Sequence, residues 1–305
     1  MPADKIEKDS NMKFEKILFH TRFRELALNS FKSILELEKA GLKKIVLAHI
    51  IPREDFLVPY GGYMKDKEEE LVELAKIRFE EWRQTVADHP TEIDFRVEVG
   101  SVNDKILEIA QQENVDLIVA GRKKRTLLEK IYVGSHILDL VRRSPKPVLL
   151  SKYMVQFEWE GESLTRTNDK VFSCPMLATD WSEPSENALD ALLAMKGVTQ
   201  RVIVAHNIDS KLTKNRSKTD IRGLEEESRK RLEKYCDTLK KNGLTAEPHL
   251  SFGHTATEII RLSREHRATM IILGRTGKDW FQEYWFGGVS HRVAENSELP
   301  VMLVP

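Results

Sequence analysis

Cysteine is almost missing from this chain. Among 305 residues only Cys174 and Cys236 occur, with no CxxC pair and no regular spacing. A disulfide framework or a zinc module needs several thiols at set intervals, so both are argued against, and the scarcity suits a reducing compartment. Surplus charge is missing too. The 48 basic and 48 acidic residues give a formal net charge of zero. A protein whose main task was to hold nucleic acid or an anionic membrane would carry a basic excess. No apolar run reaches the ~18 residues that a membrane-spanning helix needs. The first residues, MPADKIEKDSNMKFEK, are charged and lack the apolar centre of a secretory signal. The expectation is a cytoplasmic protein with no integral membrane segment and no nucleic-acid partner.

Several catalytic signatures are absent as well. GxxxxGK[ST] does not occur, nor does the dinucleotide fingerprint GxGxxG, nor HExxH. There is no SGGxDS-type loop after a first strand and no HxGH. No Ser, His and Asp fall in an order that the expected fold would bring together. These absences exclude the usual ATP-cleaving, hydride-transferring and zinc-peptidase classes. No catalytic residue is assigned, and no metal ligand.

What the chain does have is itself, twice. Gly100, Gly121, Gly134 and Pro147 realign on Gly253, Gly274, Gly287 and Pro300, each pair 153 positions apart (253 − 100, 274 − 121, 287 − 134, 300 − 147). KIVLAHII at 44–51 matches RVIVAHNI at 201–208, setting His49 on His206. The pattern is a tandem duplication with one small change of length.

Each copy alternates short apolar runs with helical spacing. The runs in copy one are KILFH (16–20), KIVLAHII (44–51), DFRVEV (94–99), DLIVAG (116–121) and PVLLS (147–151). In copy two they are PMLAT (175–179), RVIVAH (201–206), PHLSF (248–252), TMIILG (269–274) and PVMLV (300–304). Continuous apolar runs mark strands buried on both faces of a parallel sheet. Between them, residues 26–37, 71–86, 106–111 and 137–141 show a 3.6-residue apolar period. The fold class expected is α/β: two tandem Rossmann-like domains, each an open five-stranded parallel sheet with helices on both faces. The domains are expected at 1–152 and 173–305, with 153–172 as a linker whose Phe157 and Trp159 can pack on a domain. Irregular loops are expected at 52–67 and 209–220. The second carries Lys211, Lys214, Arg216 and Lys218, either as a solvated rim or as a cover over a phosphate site.

The richest motif lies in copy two. TMIIL runs into Gly274-Arg275-Thr276-Gly277, and Gly287-Gly288-Val289-Ser290 then opens a helical stretch. Glycine lets a backbone approach a phosphate closely, and the free N–H groups of a helix start attract an anion. Ser290 can add a hydroxyl. Glycines that merely make turns would read the same way.

The pattern G-2x-G-9x-G after the fourth strand resembles the universal stress protein (UspA-like) family, across nearly the whole chain and in both copies. MLATDWSEPSENAL (176–189) resembles that family's opening strand. The resemblance implies ATP, or AMP or ADP, as cofactor, with Mg present only through the phosphates. It implies Ala178, Thr179 and Asp180 beside the base, with the strand end His206-Asn207 against it. It assigns Leu273, Gly274, Arg275, Gly277, Gly287, Gly288, Val289 and Ser290 to sugar and phosphates. Two positions depart from the family. Gly288 stands where Ser or Thr is usual, and Trp181 stands where a small residue often follows the Asp.

Copy one departs further. Lys124 replaces the second glycine, and Arg22 stands where copy two has Asp180. A cation cannot accept a hydrogen bond from an adenine amine or a ribose hydroxyl. Copy one is therefore expected not to bind ATP, or to hold a different anion through Arg22, Arg122, Lys123, Lys124 and Arg125. The family pairs domains through last strands such as PVLLS and PVMLV, implying an internal pseudo-dimer and a homodimer of four domains. The function expected is stress-response signalling or regulation through nucleotide binding in copy two. A weak ATPase and a non-nucleotide scaffold remain as alternatives.

Overall fold

A computed structural model describes residues 12–59, 61–121, 135–159, 162–214, 216–275 and 288–305. The chain divides into two compact units, Phe14–Met154 and Val155–Pro305, the second also taking in Met12 and Lys13. Each is a doubly wound α/β layer.

The first unit runs β1 (Lys16–His20), α1 (Ala27–Ile34), β2 (Lys44–Ile51), a small hairpin of β3 (Leu57–Val58) and β4 (Gly62–Tyr63), and α2 (Lys65–Gln84). It continues with β5 (Glu92–Val99), α3 (Val102–Gln112), β6 (Leu117–Gly121), α4 (Ser135–Arg143) and β7 (Val148–Ser151). Its main sheet is parallel throughout, in the order β7-β6-β1-β2-β5. Next come β8 (Met154–Trp159) and β9 (Glu162–Thr167), which pair with each other.

The second unit repeats the plan with β10 (Pro175–Ala178), α5 (Glu183–Ala194), β11 (Arg201–Asp209), a helical turn α6 (Ser210–Thr213) and α7 (Lys218–Lys241). Then follow β12 (Thr245–Gly253), α8 (Thr255–Glu265), β13 (Met270–Gly274), α9 (Val289–Asn296) and β14 (Val301–Val304). The order β12-β11-β10-β13-β14 is again parallel at every step.

The sequence explains these sheets directly. Ile17, Leu18 and Phe19 on β1, and Met176 and Leu177 on β10, are buried consecutively rather than alternately. Only a strand covered on both faces buries successive side chains. The entrances of the central strands are pinned by side chains. Asp116 Oδ2 accepts from the backbone N–H groups of Glu15 and Lys16, both at 2.9 Å. At the matching place in the second unit Thr269 Oγ1 accepts from Cys174 N–H at 3.0 Å. Gly100 and Gly253 close the turns after β5 and β12 with φ of 154° and 143°, values that favour glycine.

In three segments the structure adds order that the sequence pattern did not show, each with a physical cause. The stretch 162–172 is fastened down: Arg166 Nη2 donates to Ala268 O at 2.6 Å and Asn168 Nδ2 to Thr269 O at 2.8 Å. The 209–220 segment is not irregular throughout. Asp209 accepts from Lys211 N–H to start α6. Ser217 and Asp220 exchange side-chain-to-backbone bonds as a capping box for α7. Likewise, 52–67 contains the β3–β4 hairpin and the first residues of α2.

One buried group in the first unit sets a pH dependence. His20, at the end of β1, is 8% exposed, and its Nε2 has no hydrogen-bond partner among the described residues. Burial, with Arg22 and His49 nearby, lowers its pKa from 6.5 to about 3. The neutral ring is therefore favoured in the fold, while the unfolded chain takes up a proton below pH 6.5. Stability from this group is complete above pH 6.5 and is lost as pH falls toward 3, by about 1.4 kcal/mol per pH unit. His20→Ala, which copies Ala178, should flatten the loss of denaturation midpoint between pH 6 and 4; an unchanged slope, measured by denaturant titration at several pH values, would refute the assignment.

Candidate functional site

In each unit the strand order reverses at the central strand. Right-handed crossovers place α5 and α7 on one face and α8 and α9 on the other, which opens a crevice beyond the C-terminal ends of β10 and β13. The residues assigned to copy two from the sequence cluster at this edge.

Asp180 is the hub. Its Oδ1 accepts from Ser182 N–H at 3.1 Å, from Ser185 Oγ–H at 2.7 Å, and from the Ser182 hydroxyl. These donors belong to the residues that open α5, so the carboxylate is tied to the helix entrance and held in one orientation. Thr179 N–H continues the ladder to Ala205 O at 2.9 Å, and Thr179 Oγ1 accepts from Trp181 N–H at 3.1 Å. Trp181 takes the left-handed backbone with φ 67°, and this turns the chain sharply from β10 into α5.

Gly274 ends β13 in close contact with that same helix. A Cβ placed there would lie 2.7 Å from Pro184 C and 2.9 Å from Ser185 N. The missing side chain thus serves first to admit the backbone of α5, a role the glycine motif does not reveal. Gly288 differs. It is the N-cap of α9, and among the described residues nothing lies within 4 Å of where a Cβ would sit. The Ser290 hydroxyl, expected as a ligand donor, donates to Arg275 O and ties the start of α9 to the end of β13. Arg275 N–H donates to Val304 O at 2.7 Å, and Leu273 is buried within the strand. Gly277 and Gly287 lie outside the described residues.

The end of β11 completes the edge. His206 Nδ1 lies 2.7 Å from Thr179 O; a carbonyl only accepts, so Nδ1 carries the proton. Asn207 is committed elsewhere: its Nδ2 donates to Gly253 O at 3.1 Å and Thr255 Oγ1 at 2.9 Å, and its Oδ1 accepts from Ser251 at 2.9 Å. Trp181 does not stand alone in the crevice. It packs on His206 at 4.6 Å between ring centroids and edge-on to Tyr235 of α7 at 5.2 Å, with the Arg231 guanidinium 5.9 Å from its ring centre. Burial pushes the Tyr235 phenol up to about 12, so it stays neutral.

Copy one preserves this aromatic frame and changes the chemistry around it. His49 Nδ1 is 2.9 Å from Thr21 O, and Phe23 (φ 51°) packs on His49 at 4.7 Å and on Trp82 at 5.4 Å, with Arg78 at 5.4 Å. Thr21 therefore matches Thr179, and Arg22 stands at the place of Asp180. Arg122, Lys123, Lys124, Arg125 and Gly134 lie outside the described residues. Among the described residues, no group of three or more His, Cys, Asp or Glu could hold a metal ion, and no helix is long and apolar enough to cross a membrane.

The structure thus gathers Ala178, Thr179, Asp180, His206, Asn207, Leu273, Gly274, Arg275, Gly288, Val289 and Ser290 at the C-terminal ends of β10, β11 and β13 and the start of α9. Sequence reasoning missed Ser185 as a partner of Asp180, although SEPS after the aspartate is a helix-start signal. It also missed Tyr235 and Arg231, whose only signal is their recurrence at Trp82 and Arg78.

With this geometry in hand, comparison with known proteins is specific. A sequence model of the Universal stress protein family matches residues 13–152 and 176–305. Universal stress protein MJ0577 of Methanocaldococcus jannaschii is 28% identical over 154 residues, 46% of this chain and 95% of the relative. Universal stress protein YxiE of Bacillus subtilis is 26% identical over 147 residues, 44% of this chain and 99% of the relative. A crystal structure of a universal stress protein from Archaeoglobus fulgidus superposes with a TM-score of 0.68 at 19% identity, covering 96% of both chains. That last likeness supports the fold.

The packing of Gly274 has a direct test. Gly274→Ala should cost about 1–3 kcal/mol, because backbone rather than a flexible side chain must yield. Gly121→Ala, at the matching strand end of copy one, meets nothing within 4 Å among the described residues and should cost far less. Equal denaturation midpoints for the two variants would contradict the close approach.

Proposed function

The chain belongs to the universal stress protein family, and on that premise we propose that its second half binds an adenine nucleotide, ATP or its AMP or ADP form. Occupancy of that site regulates the protein's partners in a stress response. The observation that carries the reading is the start of α9. Its N-cap, Gly288, offers no side chain to cap the N–H groups, none of the described residues crowds that position, and Ser290 fastens the helix start to the end of β13. A helix start of this kind is suited to phosphate.

In this reading the backbone of Gly288, Val289 and Ser290, with Gly274, Arg275, Gly277 and Gly287, holds sugar and phosphates. Ala178, Thr179, Asp180, His206 and Asn207 border the base, and Mg enters only with the phosphates. His206 and Trp181 together present a pre-packed wall. The residues fit a binding module. Among the described residues none is placed as a general base: His206 is bonded to a carbonyl, and His254 begins α8. Residues 1–152 form the degenerate copy, 153–172 join it to the nucleotide-binding copy at 173–305, and a cytoplasmic homodimer is the assembly inferred from the family resemblance.

The protein should be purified, denatured and its released small molecules identified by mass spectrometry. An adenine nucleotide in roughly equimolar amount is expected, and it should vanish in Asp180→Asn combined with Gly277→Lys. Asn keeps an Oδ1 acceptor for Ser182 and Ser185 while removing the charge. No nucleotide, even after Mg-ATP is added, would overturn the proposal. A second variant, Gly288→Ser, restores a hydroxyl donor where the space is open. It should tighten nucleotide binding by about 3- to 10-fold, the worth of one hydrogen bond, with stability changed by only a few tenths of a kcal/mol.

A further inference from the structure

The first unit carries a cleft of its own, about 320 Å³, within reach of the lower size range of small-molecule sites. Its walls come from the end of β1, the end of β2 and the outer side of α2. Arg22 and Arg78 flank it, and Phe23, Ile51, Leu71 and Leu74 supply apolar surface. Neither guanidinium pairs with a carboxylate among the described residues; the contact described for Arg78 is with the Phe23 ring. Leu74 is 46% exposed, a large apolar side chain open to water on a helix that is otherwise highly charged.

The second unit shows what this cleft has become. The frame contacts set Thr21 on Thr179, His49 on His206, and Arg78 on Arg231. The neighbours then follow: Arg22 replaces Asp180, Ile50 replaces Asn207, Leu74 replaces Glu227, and Ala75 replaces Ser228. Each replacement removes a polar or acidic group or adds a cation. Loss of a ligand site would leave such changes undirected. Here they all convert a polar edge into an apolar cleft with a cationic mouth, while the aromatic frame is kept.

We propose that this cleft binds an amphiphilic monoanion: a carboxylate held by Arg22 and Arg78, with an apolar chain laid along Phe23, Ile51, Leu71 and Leu74. Guanidinium groups match a carboxylate through paired N–H donors. The lining includes Asp55 and no more than the start of a single 3-10 turn, Arg53–Phe56, so its positive charge is modest and suits one negative charge rather than a polyphosphate. The site does not depend on nucleotide binding in the second unit.

Calorimetric titration of the full chain with decanoate, decanol and acetate tests this. Decanoate should bind saturably, decanol about tenfold or more weaker for want of its charge, and acetate not measurably for want of its chain. The double variant Arg22→Asp, Leu74→Glu, which gives copy one the residues of copy two at exposed positions, should lower decanoate affinity by at least about tenfold. Its denaturation midpoint and any nucleotide content should match the parent. Absence of decanoate binding, equal binding of decanoate and decanol, or undiminished binding by a folded double variant would each overturn the proposal.

Discussion

The constraint on which everything else depends is the reversal of strand order at the central strand of each sheet. From β10 the chain steps outward through β11 and β12, then returns to the other side for β13 and β14. Because crossovers are right-handed, the chain leaves β10 and β13 toward opposite faces, and a crevice opens between the two departing segments at the C-terminal ends of these strands. The polar backbone of the strand ends is left facing that gap. Asp180, Gly274 and the start of α9 gather there because the topology leaves them nowhere else to converge.

That gap is also where the two halves have diverged. Burial inside the sheets is the same in kind: consecutive apolar residues on β1 and β10, on β2 and β11, on β6 and β13. At the edge, an alanine in one half is a buried histidine in the other, and a carboxylate is a guanidinium. Packing tolerates only volume-conserving changes, so cores drift slowly. Strand ends and loops bear no such restriction, and that is where the chemistry changed.

The fold was readable from the sequence because its signal is redundant. Ten short runs, most of them continuously apolar, two copies in register and a proline opening each last strand all point to one architecture, and the sheets contain those runs as strands. Helix starts were harder. The beginning of α7 rests on Ser217 and Asp220 rather than on apolar period, so the segment read as a loop. The site was partly readable. A glycine announces that something comes close, but not what: at Gly274 it is the backbone of Pro184 and Ser185, at Gly288 open space. The frame of Trp181, His206 and Tyr235 joins three elements distant in sequence, and no local pattern could have assembled it.

The contact at Gly274 has a mechanical consequence. Its Cα sits so near the first turn of α5 that the two cannot shift independently, and that turn is the one Asp180 holds through Ser182 and Ser185. Arg275, the next residue, carries the carbonyl that anchors α9. Strand end, helix cap and second helix start are therefore links of one stiff chain. A shift of α9 would have to be accommodated along that chain, whose tightest joint is the place of a single missing methyl group.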